Sequence, residues 1–163
     1  MNPQANEIPL MAFRFWVDFK EPSLFGGTPV DICGGAFAEC TGLEATMEPM
    51  VIKEGGRNYG TVQRPGRVTF GTVVLKRGVT RNRTLWQRFY QFVNGAYSKR
   101  MEVTVTMFDA AGTATMAWVL ADAQPVKFKA ADFNAKSADI AIEELHLVHN
   151  GLRLESNPER SRL

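Results

Sequence analysis

The chain predicts a mainly β protein, an antiparallel β-barrel or sandwich with one short α-helix packed against it. Three observations carry that expectation. Apolar and polar residues alternate with period two in several short segments, Gly and Pro clusters separate those segments, and only Thr84 to Val93 spaces its apolar residues as a helix does. The pattern yields roughly seven to nine strands at hairpin-like spacing, which fits a barrel or sandwich. At 163 residues the chain reads as one domain that needs neither disulfide nor metal to fold.

Residues 1–11 read as a flexible polar leader with two prolines. Phe13, Phe15, Val17 and Phe19 then alternate with Arg14, Trp16 and Asp18, a half-buried strand in which Trp16 is the exception on the polar side. Pro22, Gly26, Gly27, Pro29, Gly34 and Gly35 make the next stretch a loop, in which only Val30 to Cys33 has strand character. Ala36 to Cys40 is a further strand. After the Thr41-Gly42-Leu43-Glu44 turn comes Ala45 to Glu54, where Pro49 places the strand on an edge or at a bulge. Gly55 to Gly60 reads as a hairpin tip, Arg64-Pro65-Gly66-Arg67 as a second turn, and Val68 to Lys76 as a β-branched strand.

The helix is short and punctuated. Thr84 and Gln87 have capping-box spacing, Asn94-Gly95 supplies an end, and Leu85, Trp86, Phe89, Phe92 and Val93 form one broad face to pack on a sheet. Strand patterns then resume at Met101 to Met107, turn at Phe108 to Thr113, return over Ala114 to Asp122 and continue as a separate short piece at Gln124 to Phe128. Ala130 to Lys136 is a polar connection. From Asp139 to Val148 the apolar set shifts from even to odd positions, which a one-residue bulge at Glu143-Glu144 would produce. Residues 154–163 form a charged tail.

Charge is segregated along the chain. Lys53 to Arg100 contains eleven Lys/Arg and one acid, whereas the flanks are acidic and bring the whole chain to +2. Such a block suits either a nucleic-acid surface, through Arg57, Arg64, Arg67 and Arg77, or a subunit that binds copies of itself by charge complementarity. Neither cysteine, Cys33 or Cys40, belongs to a disulfide framework or a C-x-x-C motif, so both read as buried free thiols.

Motifs of enzymatic chemistry are missing, and no cofactor or metal is expected. Gly55-Gly56-Arg57-Asn58-Tyr59-Gly60 lacks the following Lys and Ser/Thr of a phosphate-binding loop. His146 and His149, three apart on a strand, face opposite ways, as do Glu143 and Glu144. There is no G-x-S-x-G elbow. The first residues carry neither a basic n-region nor a long apolar run, so synthesis in the cytoplasm without a signal peptide is expected.

An ordered set of short motifs adds a resemblance. It runs through Phe13-Arg14-Phe15-Trp16-Val17, Cys40-Thr41-Gly42-Leu43-Glu44-Ala45, Lys53-Glu54-Gly55-Gly56 and Pro65-Gly66-Arg67, then Val73 to Gly78, Leu85-Trp86 and Asn94-Gly95. It continues with Trp118, Pro125-Val126-Lys127, Asp132 to Ala135, Ile140 to Glu143 and His149-Asn150-Gly151-Leu152. In that order the motifs resemble the tail-tube proteins of contractile phages and phage-tail-like contractile injection systems, relatives of the type VI secretion tube protein. The resemblance implies a tube domain over 12–153 and no enzyme. It further implies hexameric rings whose strands join neighbours into one barrel around a channel for DNA or protein cargo. Rings would stack head to tail inside a sheath and meet baseplate, spike and cap proteins. It also places the Lys53 to Arg67 region at an inter-subunit contact, which makes Glu54, Arg57, Arg64 and Arg67 the candidate contact residues. The leader, the segment around Gly26 to Gly34 and the tail after Arg153 depart from the family pattern.

Overall fold

The computed structural model describes residues 14–21, 30–53, 55–56, 58–95, 100–136 and 138–155. They form β1 (Phe15–Glu21), β2 (Val30–Gly35), β3 (Glu39–Thr41), β4 (Ala45–Ile52), β5 (Val62–Phe70), β6 (Val73–Gly78), α1 (Thr84–Val93), β7 (Met101–Phe108), β8 (Ala114–Lys129), β9 (Ile142–Val148) and β10 (Gly151–Glu155). The mainly β, antiparallel expectation with one helix holds. Phe13 and the leader lie outside the described residues.

Alternation became structure wherever one face met the core. Val17 and Phe19 of β1 are buried, and Trp16 stays outside, where its indole N–H donates to Asp18 Oδ1 at 2.8 Å. β1 pairs with β7 in register Val17↔Val105 and Phe19↔Val103, and β7 pairs with β8 so that Val103 faces Leu120. The β7–β8 turn closes as its residues predict: Asp109 N–H donates to Thr113 O at 3.0 Å and Thr113 N–H donates to Asp109 Oδ1 at 2.8 Å.

Strands β2-β1-β7-β8-β9-β6-β3 form one path, with β10 added on β8. The path ends at β2 and β3 and does not close, so the single chain is not itself a barrel. Its hinge is β8, which is one long strand where two pieces were expected. Asp122, at φ 53, marks the join inside it, and the first half pairs with β7 and β10 while the second half pairs with β9. Val148↔Gln124 and Gly151↔Ala121 continue one register, and Asn150 N–H donates to Ala121 O at 2.9 Å. Strands β9 and β10 are therefore one antiparallel partner of β8 broken only at His149-Asn150. Between the two wings lies the core, with Val17, Phe19, Val103, Val105 and Leu120 from one wing and Val73, Leu75, Leu145 and Leu147 from the other.

Several local expectations are corrected. Arg64-Pro65-Gly66-Arg67 is not a turn but the middle of β5, and the chain breaks instead at Gly71-Thr72, between β5 and β6. No bulge falls at Glu143-Glu144, which pair regularly with Arg77 and Lys76; the shift lies in β8 between Pro125 and Lys127, and Ile140 and Ile142 are simply exposed. Thr84 is inside the helix and its side chain caps nothing. Asn82 does that work, its Oδ1 accepting the Thr84 N–H at 2.9 Å. At the far end Asn94 N–H donates to Tyr90 O and Gly95 N–H to Phe92 O. Only Leu85 and Phe92 of the helix are fully buried, while Trp86 and Val93 are exposed.

Candidate assembly interface

Four cations of the basic block are answered inside the chain. Lys76 pairs with Glu39 at 3.0 Å, Arg88 with Glu21 at 3.0 Å and Arg100 with Asp122 at 3.4 Å, while Arg77 Nε donates to the Glu143 carboxylate. Each partner comes from an acidic flank, so part of the segregation seen along the sequence is folding complementarity. Arg77 is buried and committed, which removes it from any nucleic-acid surface. Lys53, Arg64, Arg67, Arg81 and Arg83 carry no ion pair among the described residues.

Arg64 and Arg67 stand on the β4–β5 hairpin, which pairs with no other strand among the described residues. Its register runs Ala45↔Phe70, Met47↔Val68, Pro49↔Pro65, Met50↔Arg64 and Ile52↔Val62, with an irregularity between Met47 and Pro49. Pro49 thus sits at the bulge its residue type predicts. Gly66 makes the bulge possible, because a Cβ there would lie 2.1 Å from Glu48 O. The hairpin base is also fixed. Gly42, at φ +82, lets the chain pass where a Cβ would sit 2.0 Å from Thr72 O, and Gly71 N–H donates to Glu44 O at 3.1 Å. Phe70, the last residue of β5, packs 5.1 Å from the buried His149 ring, whose Nδ1–H donates to Gly151 O at 2.9 Å.

Beyond that base no further strand pairs with the hairpin among the described residues. Met47, Met50, Val51 and Val68 are 52%, 59%, 52% and 44% exposed, and Tyr59 near the tip is 91% exposed. A lone two-stranded ribbon is marginal in water, and apolar side chains this open mark an interaction surface. Of the four candidate contact residues, the structure thus puts Arg64 and Arg67 on this exposed ribbon; Glu54 and Arg57 lie outside the described residues. The exposed methionines were missed by sequence reading, which counted Met47 and Met50 only as strand formers.

Open edges add to the picture. Among the described residues β2, β3 and β10 each pair on one side only. Such edges are a liability in a monomer and a joining surface in an assembly. The two cysteines, Cys33 and Cys40, are free and partly buried, and burial pushes each thiol up to about 11. For Cys33 the nearby Arg77 guanidinium opposes that rise. No group of three or more potential metal ligands occurs among the described residues.

An unclosed β framework, single-sided strands and a projecting apolar ribbon are the features of a building-block protein, with surfaces suited to neighbours. Comparison with known families makes the class specific. The chain belongs to the T4-like virus tail tube protein gp19 family, whose model matches residues 11–153. A chain in a cryo-EM structure of the anti-feeding prophage (AFP) baseplate is 27% identical, with a TM-score of 0.76 over 91% of this chain and 96% of that one. A chain of the PVC extracellular contractile injection system, in its extended sheath–tube complex, shares the fold at 22% identity and a TM-score of 0.72, over 94% of this chain and 96% of that one. A crystal structure of an Hcp protein shares it more distantly, at 10% identity and a TM-score of 0.53 over 89% and 94%. Comparison with curated protein sequences returns no match.

Proposed function

We propose that this chain is the structural subunit of the inner tube of a contractile tail or injection particle. In this reading residues 12–153 are the tube domain, six copies form a ring, and neighbours complete the strands left single-sided in one chain into a barrel around a channel. Rings stack head to tail within a sheath and end at baseplate, spike and cap proteins, with DNA or protein as cargo. Assembly occurs in the cytoplasm that makes the subunit. One observation carries the reading: the tail-tube family match over 11–153 takes in the open edges β2 and β3, the first three residues of β10 and the whole β4–β5 hairpin.

Glu54, Arg57, Arg64 and Arg67 are the proposed contact residues between subunits. A heterologous contact repeated along an axis produces an open rod, and charge fixes its register. The test is Arg64→Glu with Arg67→Glu. Both side chains are exposed and without ion pairs among the described residues, so folding stability should change by less than about 0.5 kcal/mol. Rod formation, followed by sedimentation and negative-stain microscopy, should be lost or moved to much higher protein concentration. Rods at the wild-type concentration would remove this hairpin from the contact.

A further inference from the structure

The fold treats the methionines among the described residues unequally. Met101 and Met107 of β7 are 5% and 8% exposed and Met116 of β8 is half-buried, whereas Met47 and Met50 of β4 are 52% and 59% exposed. Both open thioethers therefore stand on the lone β4–β5 ribbon. Met47 lies opposite Val68 and Met50 opposite Arg64, on either side of the irregularity next to Pro49. A thioether adapts well to an irregular apolar partner, and it is also a group that a mild oxidant turns polar. The cysteines compete poorly for such an oxidant. Cys33 and Cys40 are partly buried, and burial pushes each thiol up to about 11, so little of the reactive thiolate is present at neutral pH.

We propose that Met47 and Met50 are oxidation sites through which a peroxide controls self-assembly, blocking the free subunit and sparing the finished tube. The inference rests on the tube reading and on the place of the β4–β5 ribbon in its contacts, and it adds a regulation to that surface. In the reaction the O–O bond of hydrogen peroxide breaks, one oxygen forms the S–O bond of methionine sulfoxide, and the other leaves as water. Sulfur is oxidised and the peroxide is reduced. The product sets a strong hydrogen-bond acceptor where an apolar atom stood, and burying it against a neighbour without a donor is unfavourable. Neither sulfur belongs to the core cluster, so the oxidised subunit stays folded. The order of events decides the outcome: peroxide reaches both sulfurs in the free subunit, while a neighbour that covers the ribbon shields them. Reduction by a thiol-dependent sulfoxide reductase, which releases the oxygen as water and leaves a disulfide on the reductant, restores the contact.

The test treats dilute, unassembled wild-type protein with hydrogen peroxide, removes the oxidant and concentrates the sample. Peptide mass mapping should find the added oxygen on Met47 and Met50 before Met101 and Met107, with circular dichroism unchanged. The protein concentration at which rods pellet should rise by about tenfold or more. Methionine sulfoxide reductases with dithiothreitol should bring it back. Rods formed before the treatment should keep both thioethers and remain intact. Met47→Leu with Met50→Leu, similar in volume but without sulfur, should assemble with or without peroxide. Oxidised wild-type protein that pellets like untreated protein would overturn the proposal, as would preformed rods oxidised at both positions. A Leu variant that loses assembly to peroxide as the wild type does would overturn it too, because the sensitive site would lie elsewhere. If that variant forms no rods untreated, the reductase arm decides, and rods that fail to return as residues 47 and 50 are reduced overturn the proposal. Untreated wild-type protein that forms no rods would refute the tube reading itself, and this inference with it.

Discussion

Glu143→Ala should be among the most damaging single substitutions outside the apolar core. The Glu143 and Arg77 side chains are 14% and 9% exposed, and the Arg77 Nε–H donates to the carboxylate. What else holds Arg77 is weaker: Nη2 donates to Asn82 O at 3.3 Å, and the guanidinium lies 5.6 Å from the Phe37 ring centroid. Removing the carboxylate strands a cation beside the core, a change that costs about 3–5 kcal/mol. Replacing both partners, Arg77→Met with Glu143→Leu, should recover most of that loss, because an apolar pair of similar volume is often neutral or stabilising. Urea unfolding of dilute, unassembled protein, followed by circular dichroism, reads the effect. With a slope of about 2 kcal/mol/M, Glu143→Ala should lower the midpoint by roughly 1.5–2.5 M. A loss under about 1 kcal/mol, or a double variant as unstable as the single one, would refute the reasoning that the pair is a desolvated unit.

Gly66→Val should unseat the hairpin without unseating the core, since its Cβ would lie 2.1 Å from Glu48 O at the bulge. Rod formation should fail while near-UV circular dichroism is retained; assembly at wild-type concentration would contradict the role given to the ribbon. Gly42→Ala acts at the ribbon's base, combining φ +82 with a Cβ 2.0 Å from Thr72 O, and should cost about 2 kcal/mol or more by denaturant titration. Cys33 and Cys40, with thiols raised from 9.0 to about 11, stay protonated when folded, so alkylation at pH 8 should run up to about a hundredfold slower than in urea. Equal rates would contradict the burial. Because the folded values lie above the unfolded one, their contribution is whole below pH 9.0 and is lost as pH rises from there through about 11.

Much of the fold was legible because burial on one face writes itself into alternation. Val17 and Phe19, Val103 and Val105, and Leu145 and Leu147 are core residues in the structure and stood out by period alone. Where the reading failed, a tertiary partner overruled a local rule. Pro65-Gly66 looks like a turn, yet it sits in a strand because Glu48 O fits against the bare glycine. Asp122 looks like a strand end, but β8 runs on because β9 and β10 continue one register beside it. Thr84 has the spacing of a cap, and Asn82 reaches the orphan N–H first.

The interface was half legible. The cations of Arg64 and Arg67 announced a surface, but the lone ribbon that carries them depends on which strands do not pair, and no local pattern records that. The exposure of Trp86 and Val93 on α1 was hidden for a related reason. Both residues satisfy helical periodicity equally well on a face turned to the core and on one turned away.

Imaging the purified wild-type chain tests the central claim most directly. Cryo-electron microscopy should show hollow rods of uniform diameter with sixfold symmetry, in which β2, β3 or β10 gains a strand partner from a neighbouring copy. Monomers persisting from micromolar to millimolar concentration, or rods whose subunits leave all three of those edges unpaired, would contradict it.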